Sequence, residues 1–440
     1  MAARPRRPVE LARDHARPRT APAPACAAVE DRLAELVSPV AFALGDEYRR
    51  RGLRERVLAL PVMVAVVLAM VWRQVPSVSE LGRVLEREGL LWAAPTKVSQ
   101  QALALRLRCL PADLFHRVLA DLLPALAARA AARSRPRPPV VDRAQAHFPQ
   151  VWAVDGSTLE ALFKKVGLLR DAPATVLGGK LEAVLDLATA LPVHLWLDAD
   201  AAANDKRFLD RIRAVLPPAT LLVVDRGFYS FPFFDWLGDH GHAFVTRARA
   251  LTALEVERVL LETPTARDRV VRLGVYRSNP CARPLRLVEV QVRGTWRGYL
   301  TSVLDPAVLS AADVVDLYGR RWKIEEAFLL TKRLLGLSYL WSGAFNAVAV
   351  QVWATWLLYA VLVDLTDAVA EELGEPLDAL SLEMAYRGLY HFAVAFRAGT
   401  AADPVAYLAA PAQAGLGLVK RRRKYRERTR IDTATLTANL

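Results

Sequence analysis

The spacing of apolar residues changes character along the chain. Between residues 28 and 130 apolar residues recur at steps of three and four, which predicts a run of helices. From Val151 the pattern switches to short apolar runs, in the order three strands, a helix and a fourth strand. The central runs are nearly all apolar, as in strands covered on both faces. The pattern predicts an α/β fold with a mixed sheet, preceded by a mostly α-helical N-terminal domain.

The most informative predicted helix runs from Ser310 to Leu337. Ser310 with Asp313 can cap its start, and Gly336 suits its end. The helical period places four polar residues on roughly a sixth of the circumference, namely Tyr318, Arg321, Glu325 and Lys332. The adjoining strip is apolar, so we expect this polar stripe to border a cleft. Such a group suits a divalent metal and a phosphodiester, and the alternative is an ordinary salt-bridged surface.

Two acidic residues follow apolar strands, and we expect both to reach a common crevice. Asp155 ends the run VWAVD and Asp225 ends TLLVVD. A strand terminus lets a side chain leave the core while its backbone remains fixed. The alternative is that each carboxylate caps the next turn. Glu182 and Asp186 lie an even number of residues apart on one predicted strand, and they are further candidate metal ligands.

A long uncharged run raises the question of a membrane. Trp341 to Val363 would, taken alone, be interpreted as a transmembrane helix. The run contains Asn346, Gln351, Thr355 and five alanines, which favours a helix buried behind Glu325. The N-terminal residues lack the continuous apolar segment of a signal peptide. We therefore expect a cytoplasmic protein without a membrane partner.

The charge of the chain favours a polyanionic partner. The net charge is +13. Residues 1–24 hold six Arg against Glu10 and Asp14, giving +4, and residues 419–430 hold eight Lys or Arg against Glu427, giving +7. Such arms suit phosphate backbones or an anionic membrane surface. An Arg-rich end can also reflect genomic base composition. The three cysteines fit no zinc or redox motif, in agreement with a reducing compartment.

Three segments resemble a known family in the expected order. The spacing Y-x2-R-x3-E-x6-K within YGRRWKIEEAFLLTK, together with VDGST and VVDRGFYS, resembles bacterial insertion-sequence transposases with a D-D-E triad and the Y-R-E-K signature, the insertion sequence four type. The resemblance covers roughly Val151 to Val363. It implies a ribonuclease-H-like domain in which Asp155, Asp225 and Glu325 are the catalytic, metal-binding triad. Glu182 and Asp186 are excluded by motif position alone.

The resemblance also implies partners and a reaction. Three converging carboxylates suit two Mg²⁺ ions, with Mn²⁺ as a substitute, for DNA cleavage and strand transfer. Tyr318, Arg321 and Lys332 would hold DNA phosphates, and Trp296 or Tyr299 would stack on a displaced base, although strand aromatics usually pack. We expect the partner to be double-stranded DNA, both transposon ends and target. We also expect a homodimer in a synaptic complex on the nucleoid and no nucleotide cofactor. The alternatives are a nuclease without strand transfer and an inactive DNA-binding relic.

The expected organisation of the chain follows from these patterns. The predicted parts are a disordered basic arm (1–27), a helical N-terminal DNA-binding domain (28–132), a proline-rich linker (133–149), a ribonuclease-H-like domain (150–249 and 307–370), a β-rich insertion (250–306), a helical C-terminal region (371–418) and a basic tail (419–440). The insertion contains three segments with a period of two, VVRLGVYR, LRLVEVQVRG and GYLTSVL.

Overall fold

The computed structural model describes residues 26–53, 56–159, 179–200, 203–249, 252–337 and 344–420. The predicted basic arm, except its last two residues, and the predicted basic tail, except Val419 and Lys420, lie outside these residues. The described part is a mixed α/β fold with one large mixed sheet, as the sequence predicted.

The N-terminal region is helical, as the three- and four-residue periodicity predicted. Its helices are α1 (Ala27–Ala43), α2 (Gly45–Arg50), α3 (Leu60–Trp72), α4 (Val78–Arg87), α5 (Gln100–Cys109) and α6 (Ala112–Ala132), and α7 (Pro139–Gln145) follows before the sheet. The side chain of Ser77 accepts a hydrogen bond from the Glu80 amide at 3.1 Å and so caps α4. The all-apolar α3 is buried from Met63 to Trp72.

The described strands form one nine-stranded sheet. They are β1 (Gln150–Thr158), β2 (Lys180–Asp186), β3 (Pro192–Asp198), β4 (Thr220–Val224), β5 (Ala243–Arg247), β6 (Leu254–Glu262), β7 (Ala266–Leu273), β8 (Leu285–Val292) and β9 (Thr295–Thr301). Their order across the sheet is β3-β2-β1-β4-β5-β9-β8-β7-β6. The pairs β1–β4 and β4–β5 are parallel, and the other described pairs are antiparallel.

Helices cover both faces of the central strands, as the apolar strand pattern predicted. The helices after β3 are α8 (Leu209–Val215), α9 (Phe231–Asp239), α10 (Ala311–Arg320), α11 (Trp322–Arg333), α12 (Phe345–Leu373), α13 (Leu382–Arg397) and α14 (Pro404–Ala409). Successive side chains of β1 point to opposite faces. Ala153 packs into the core that contains Ile324 of α11, whereas Val154 packs into the core that contains Ile212 of α8 and Phe233 of α9.

The prediction of one continuous helix from Ser310 to Leu337 is wrong. Arg321 separates α10 from α11. Its amide donates to the Tyr318 carbonyl at 3.2 Å, and its carbonyl accepts from the Ile324 amide at 3.1 Å, so the hydrogen bonds tighten to three-residue spacing there. The backbone φ and ψ of Arg321 stay α-helical, at −51° and −31°. The residue pattern therefore gives no sign of the break. The predicted Ser310–Asp313 capping box is present.

The long apolar helix α12 lies inside the protein. It is long and apolar enough to cross a membrane, but its apolar window is entirely buried. Its Trp356 ring packs edge-on against Phe328 of α11, with centroids 5.7 Å apart. Trp341, where the predicted run begins, lies outside the described residues. The interpretation as a buried helix behind the polar stripe agrees with this packing.

The segment interpreted as a linker is packed against α12. Arg133 is nearly buried and binds Asp364 at 2.6 Å and Asp367 at 2.8 Å. Arg135 also pairs with Asp367, and Arg32 of α1 reaches Asp364 at 3.2 Å. Buried charges require such partners. These ion pairs connect α1 and the segment after α6 to α12.

Candidate active site

The two aspartates lie at the same edge of the sheet. Asp225 directly follows β4, as predicted. Asp155 does not end its strand, because β1 continues to Thr158 and Asp155 pairs with Ala183 of β2. Strands β1 and β4 are parallel neighbours whose register aligns Val154 with Val224, the residues just before the two aspartates. The parallel register, rather than two strand ends, therefore brings the aspartates together.

Arg321 joins all three predicted carboxylates. Its guanidinium donates to Asp155 Oδ2 from Nη1 and to Glu325 Oε1 from Nη2, each at 2.5 Å. Its Nε lies 3.9 Å from Asp225 Oδ1. The Arg321 side chain is 7% exposed. The break between α10 and α11 thus places one nearly buried cation among Asp155, Asp225 and Glu325.

The rest of the polar stripe faces the same edge. The Tyr318 hydroxyl donates to Asp225 Oδ1 at 3.1 Å. The Lys332 ammonium donates to the Thr158 carbonyl at 2.7 Å and to the Ser157 hydroxyl. Tyr318 and Arg321 thus contact the aspartates, Glu325 is joined to them through Arg321, and Lys332 lies at the end of β1.

Burial and mutual repulsion perturb the ionisation of the site. Burial raises the pKa of Asp155 to about 6, helped by Asp225 and Glu325, while Arg321 and the Gly156 amide offset part of the rise. Burial also raises the pKa of Tyr318 to about 12, together with the charge of Asp225, so the phenol stays protonated at neutral pH. Burial alone would lower the pKa of Arg321, but the surrounding carboxylates raise it, so Arg321 remains a cation.

The donor set suits a divalent ion. Carboxylate oxygens are the ligands that Mg²⁺ and Mn²⁺ prefer. Within the described ranges, no three Asp, Glu, His or Cys side chains are grouped closely enough to hold an ion directly. At this edge the Arg321 guanidinium lies within 3.9 Å of all three carboxylates. Asp155, Asp225 and Glu325 fit a divalent cation by the chemistry of their oxygens.

The two other candidate carboxylates are not part of this group. Asp186 accepts hydrogen bonds from the Ala188 amide and the Thr189 hydroxyl, so it holds its own turn. Glu182 is fully buried, and neither of its carboxylate oxygens has a hydrogen-bond partner in the described part of the chain. Glu182 pairs in register with Gly156, on the face of β1 that carries Val154 rather than Ala153.

Sequence reasoning missed the neighbours of Glu182. Lys180 pairs with Asp205, and both approach Gly156 so closely that a Cβ atom there would lie 2.7 Å from Lys180 Cε and 3.0 Å from Asp205 Oδ1. The Glu182 oxygen would lie at 2.5 Å from the same atom. Only glycine fits after Asp155 without displacing these side chains. Lys180 and Glu182 reach Gly156 through the register of β1 against β2, which no local spacing reveals.

The predicted aromatic residues have different surroundings. Tyr299 is buried, and its ring packs against Tyr318 with centroids 5.3 Å apart. Trp296 is partly exposed near the β8–β9 turn, with the Arg267 guanidinium 4.4 Å from its ring centroid. The position of Tyr299 favours packing over contact with a base.

Comparison with known protein families agrees with the site. Residues 146–361 match the family model of the transposase DDE domain, and this range contains Asp155, Asp225 and Glu325. The match supports a DDE transposase. A search of curated proteins finds no match. DDE transposases act on DNA and generally use divalent metals. The buried α12 is only weak evidence for a membrane.

Proposed function

We propose that this protein is a DDE transposase that binds the terminal inverted repeats of an insertion sequence and catalyses metal-dependent DNA cleavage and strand transfer. The convergence of Asp155, Asp225 and Glu325 on one cationic group carries the proposal. The Y-R-E-K spacing supports membership of the insertion sequence four type. The protein would act as a homodimer that pairs two transposon ends, without a nucleotide cofactor.

The topology supports a ribonuclease-H-like catalytic core. Strands β1 to β3 are antiparallel neighbours, and β4 and β5 continue the sheet parallel to β1. We assign residues 150–249 and 307–370 to this core. Residues 250–306 form the proposed insertion, and their strands β6 to β9 extend the same sheet through the β5–β9 pair.

Each residue of the site has a distinct proposed task. Asp155, Asp225 and Glu325 would hold Mg²⁺ or Mn²⁺, which would activate a water molecule or a DNA 3′-hydroxyl and stabilise the leaving oxygen. Tyr318 remains protonated and orients Asp225 through its hydroxyl. Arg321 supplies a planar donor for phosphate oxygens. We keep Trp296 as the candidate for base stacking, because its ring is partly exposed.

Lys332 supplies a second cation for the DNA backbone. Its ammonium lies at the end of β1, where it contacts Thr158 and Ser157. A point charge there can bind a phosphate next to the one being cut, without replacing the metal.

A strand-transfer assay tests this function. Purified protein would be mixed with Mg²⁺, a supercoiled target and duplexes that carry the inverted repeats flanking the reading frame. The proposal predicts end cleavage and joined products. Cleavage without joining indicates a nuclease, and DNA binding without cleavage indicates an inactive relic. Duplexes with scrambled ends provide the control for sequence-specific action.

A further inference from the structure

The Arg321 guanidinium contacts carboxylate oxygens that a bound divalent cation would also use. Its guanidinium binds Asp155 Oδ2 and Glu325 Oε1, one oxygen from each of two carboxylates in the triad. Divalent ions of the Mg²⁺ class bind carboxylate oxygens at about 2.1 Å. An ion that bound these two oxygens would therefore meet the guanidinium nitrogens at a distance where two cations repel each other strongly. The guanidinium and the ion would therefore compete for these oxygens.

Two features of Arg321 favour a second position for its side chain. Arg321 lies at the junction of α10 and α11, where three-residue hydrogen bonds replace the regular helical ladder. Among the residues that the structure describes, its buried Nε has no hydrogen-bond partner, so the position among the carboxylates satisfies only part of its donor capacity. A phosphate group offers oxygens in a geometry that a guanidinium binds with two parallel hydrogen bonds. A DNA phosphate at this edge could therefore satisfy Arg321 more completely.

We propose that Arg321 closes the carboxylate triad in the DNA-free transposase and that a DNA phosphate draws its guanidinium away, which frees the triad for the divalent ion. This inference rests on the proposed function, because it takes the triad as the metal site. DNA and metal then bind cooperatively, and by thermodynamic linkage each raises the affinity for the other by the same factor. The transposase would then bind the metal ion tightly only after DNA has bound.

The direct test is Mn²⁺ binding without catalysis, measured by electron paramagnetic resonance on the full chain. Free Mn²⁺ would be titrated against the parent protein, Arg321→Gln and Arg321→Lys, with and without a duplex DNA. Asp225→Asn with the same DNA gives the background from Mn²⁺ on phosphates. Arg320→Gln is the matched control, because the neighbouring Arg320 pairs with Asp378 instead of the triad.

The proposal predicts a specific pattern of affinities. Without DNA, Arg321→Gln should bind Mn²⁺ roughly tenfold or more tightly than the parent, the size of a charge-assisted contact. Arg321→Lys should fall between them, and Arg320→Gln should match the parent. DNA should tighten Mn²⁺ binding of the parent and change that of Arg321→Gln much less. Because the parent arm needs no substitution, the DNA effect is measurable even if Arg321→Gln folds poorly.

Two failures are distinguishable. The inference about Arg321 fails if Arg321→Gln binds Mn²⁺ no more tightly than the parent. It also fails if DNA raises the Mn²⁺ affinity of neither protein above the Asp225→Asn background. In both cases Mn²⁺ binding that depends on the triad leaves the proposed function intact. If no protein binds Mn²⁺ above the Asp225→Asn background under any condition, the triad is not a metal site, and the proposed function fails as well.

Discussion

The Tyr318 hydroxyl donates to Asp225 at 3.1 Å, which connects α10 to the loop that follows β4. Asp225 is 39% exposed, the most accessible of the three carboxylates, so few other contacts fix its rotamer. A carboxylate that must bind an ion from one direction benefits from a fixed donor on its other oxygen. The hydrogen bond from Tyr318 is such a constraint.

Removal of this hydroxyl should slow the reaction without unfolding the protein. Tyr318→Phe keeps the ring that packs on Tyr299, so we expect a melting temperature close to that of the parent. Cleavage of transposon-end DNA should fall by about tenfold, the worth of one hydrogen bond to a charged group. Tyr299→Phe is the control, since the structure shows no contact between its hydroxyl and the carboxylates. Equal rates for both variants would contradict the assigned role of Tyr318.

Lys332 should matter for cleavage rather than for metal binding. Lys332→Ala should leave Mn²⁺ binding measurable but slow the cleavage of transposon-end DNA. The activation free energy of cleavage should rise by about 1.5 to 3 kcal/mol. Lys332→Arg should restore only part of the rate, because a planar fork does not reproduce a point charge. Lys323→Ala is the control on α11, since Lys323 pairs with Glu326 and Asp378.

Two results would change the role of Lys332. Cleavage at the parent rate would show that its ammonium does not act on DNA. A large fall in melting temperature would show that its main task is to hold the end of β1 through Thr158 and Ser157.

Glu182 predicts an unusual pH dependence of stability. Burial raises its pKa well above the usual 4.5, and the charges of Asp205 and Asp155 add to the rise. The folded protein therefore favours the protonated acid. This stabilising contribution is fully present below about pH 4.5 and is lost as the pH rises through the folded pKa. Glu182→Gln, a neutral isostere, should raise the melting temperature near pH 8 and change it little near pH 4.

Thermal unfolding at both pH values checks this prediction. Glu86→Gln is the control, because Glu86 is an exposed residue whose ion pair with Lys97 is open to solvent. A fall in melting temperature near pH 8 for Glu182→Gln would show that the ionised carboxylate is stabilised by a cation.

The basic tail should act on DNA through charge alone. Val419 pairs with Leu380, and the Lys420 amide donates to the Ala379 carbonyl, so a truncation should keep both residues. Residues 421–440 carry seven Lys or Arg against Glu427 and Asp432, a net +5. Their deletion should weaken binding to all DNA sequences alike and flatten the salt dependence of the affinity. An unchanged salt slope would show that the tail does not contact DNA.

The sequence predicted those parts of the site that depend on local pattern. Asp225 follows an apolar strand, and the period of α10 and α11 places Tyr318, Arg321 and Glu325 on one side even though the helix breaks. The break was not predictable, because Arg321 keeps helical angles and the change lies only in its hydrogen bonds. The continuation of β1 beyond Asp155 also depends on a distant partner, β2.

Features that depend on long-range contacts were missed. Strand β6 was not predicted, since both of its faces are largely exposed and its residues show no buried alternation. The ion pair between Arg135, in the predicted linker, and Asp367 of α12 also depends on a long-range contact that the local pattern does not reveal. Likewise the burial of Glu182 follows from the register of β2 against β1, which no local spacing reveals.

The central claim is that the converging carboxylates perform metal-dependent chemistry on DNA. The most direct measurement compares Mg²⁺-dependent cleavage of transposon-end DNA by the parent, Glu325→Gln and Glu326→Gln. The two variants make the same chemical change at adjacent positions, but Glu325 binds Arg321 whereas Glu326 pairs with Lys323 and Lys420. We predict that Glu325→Gln abolishes cleavage and that Glu326→Gln cleaves at nearly the parent rate. Cleavage by Glu325→Gln at the parent rate would contradict the account.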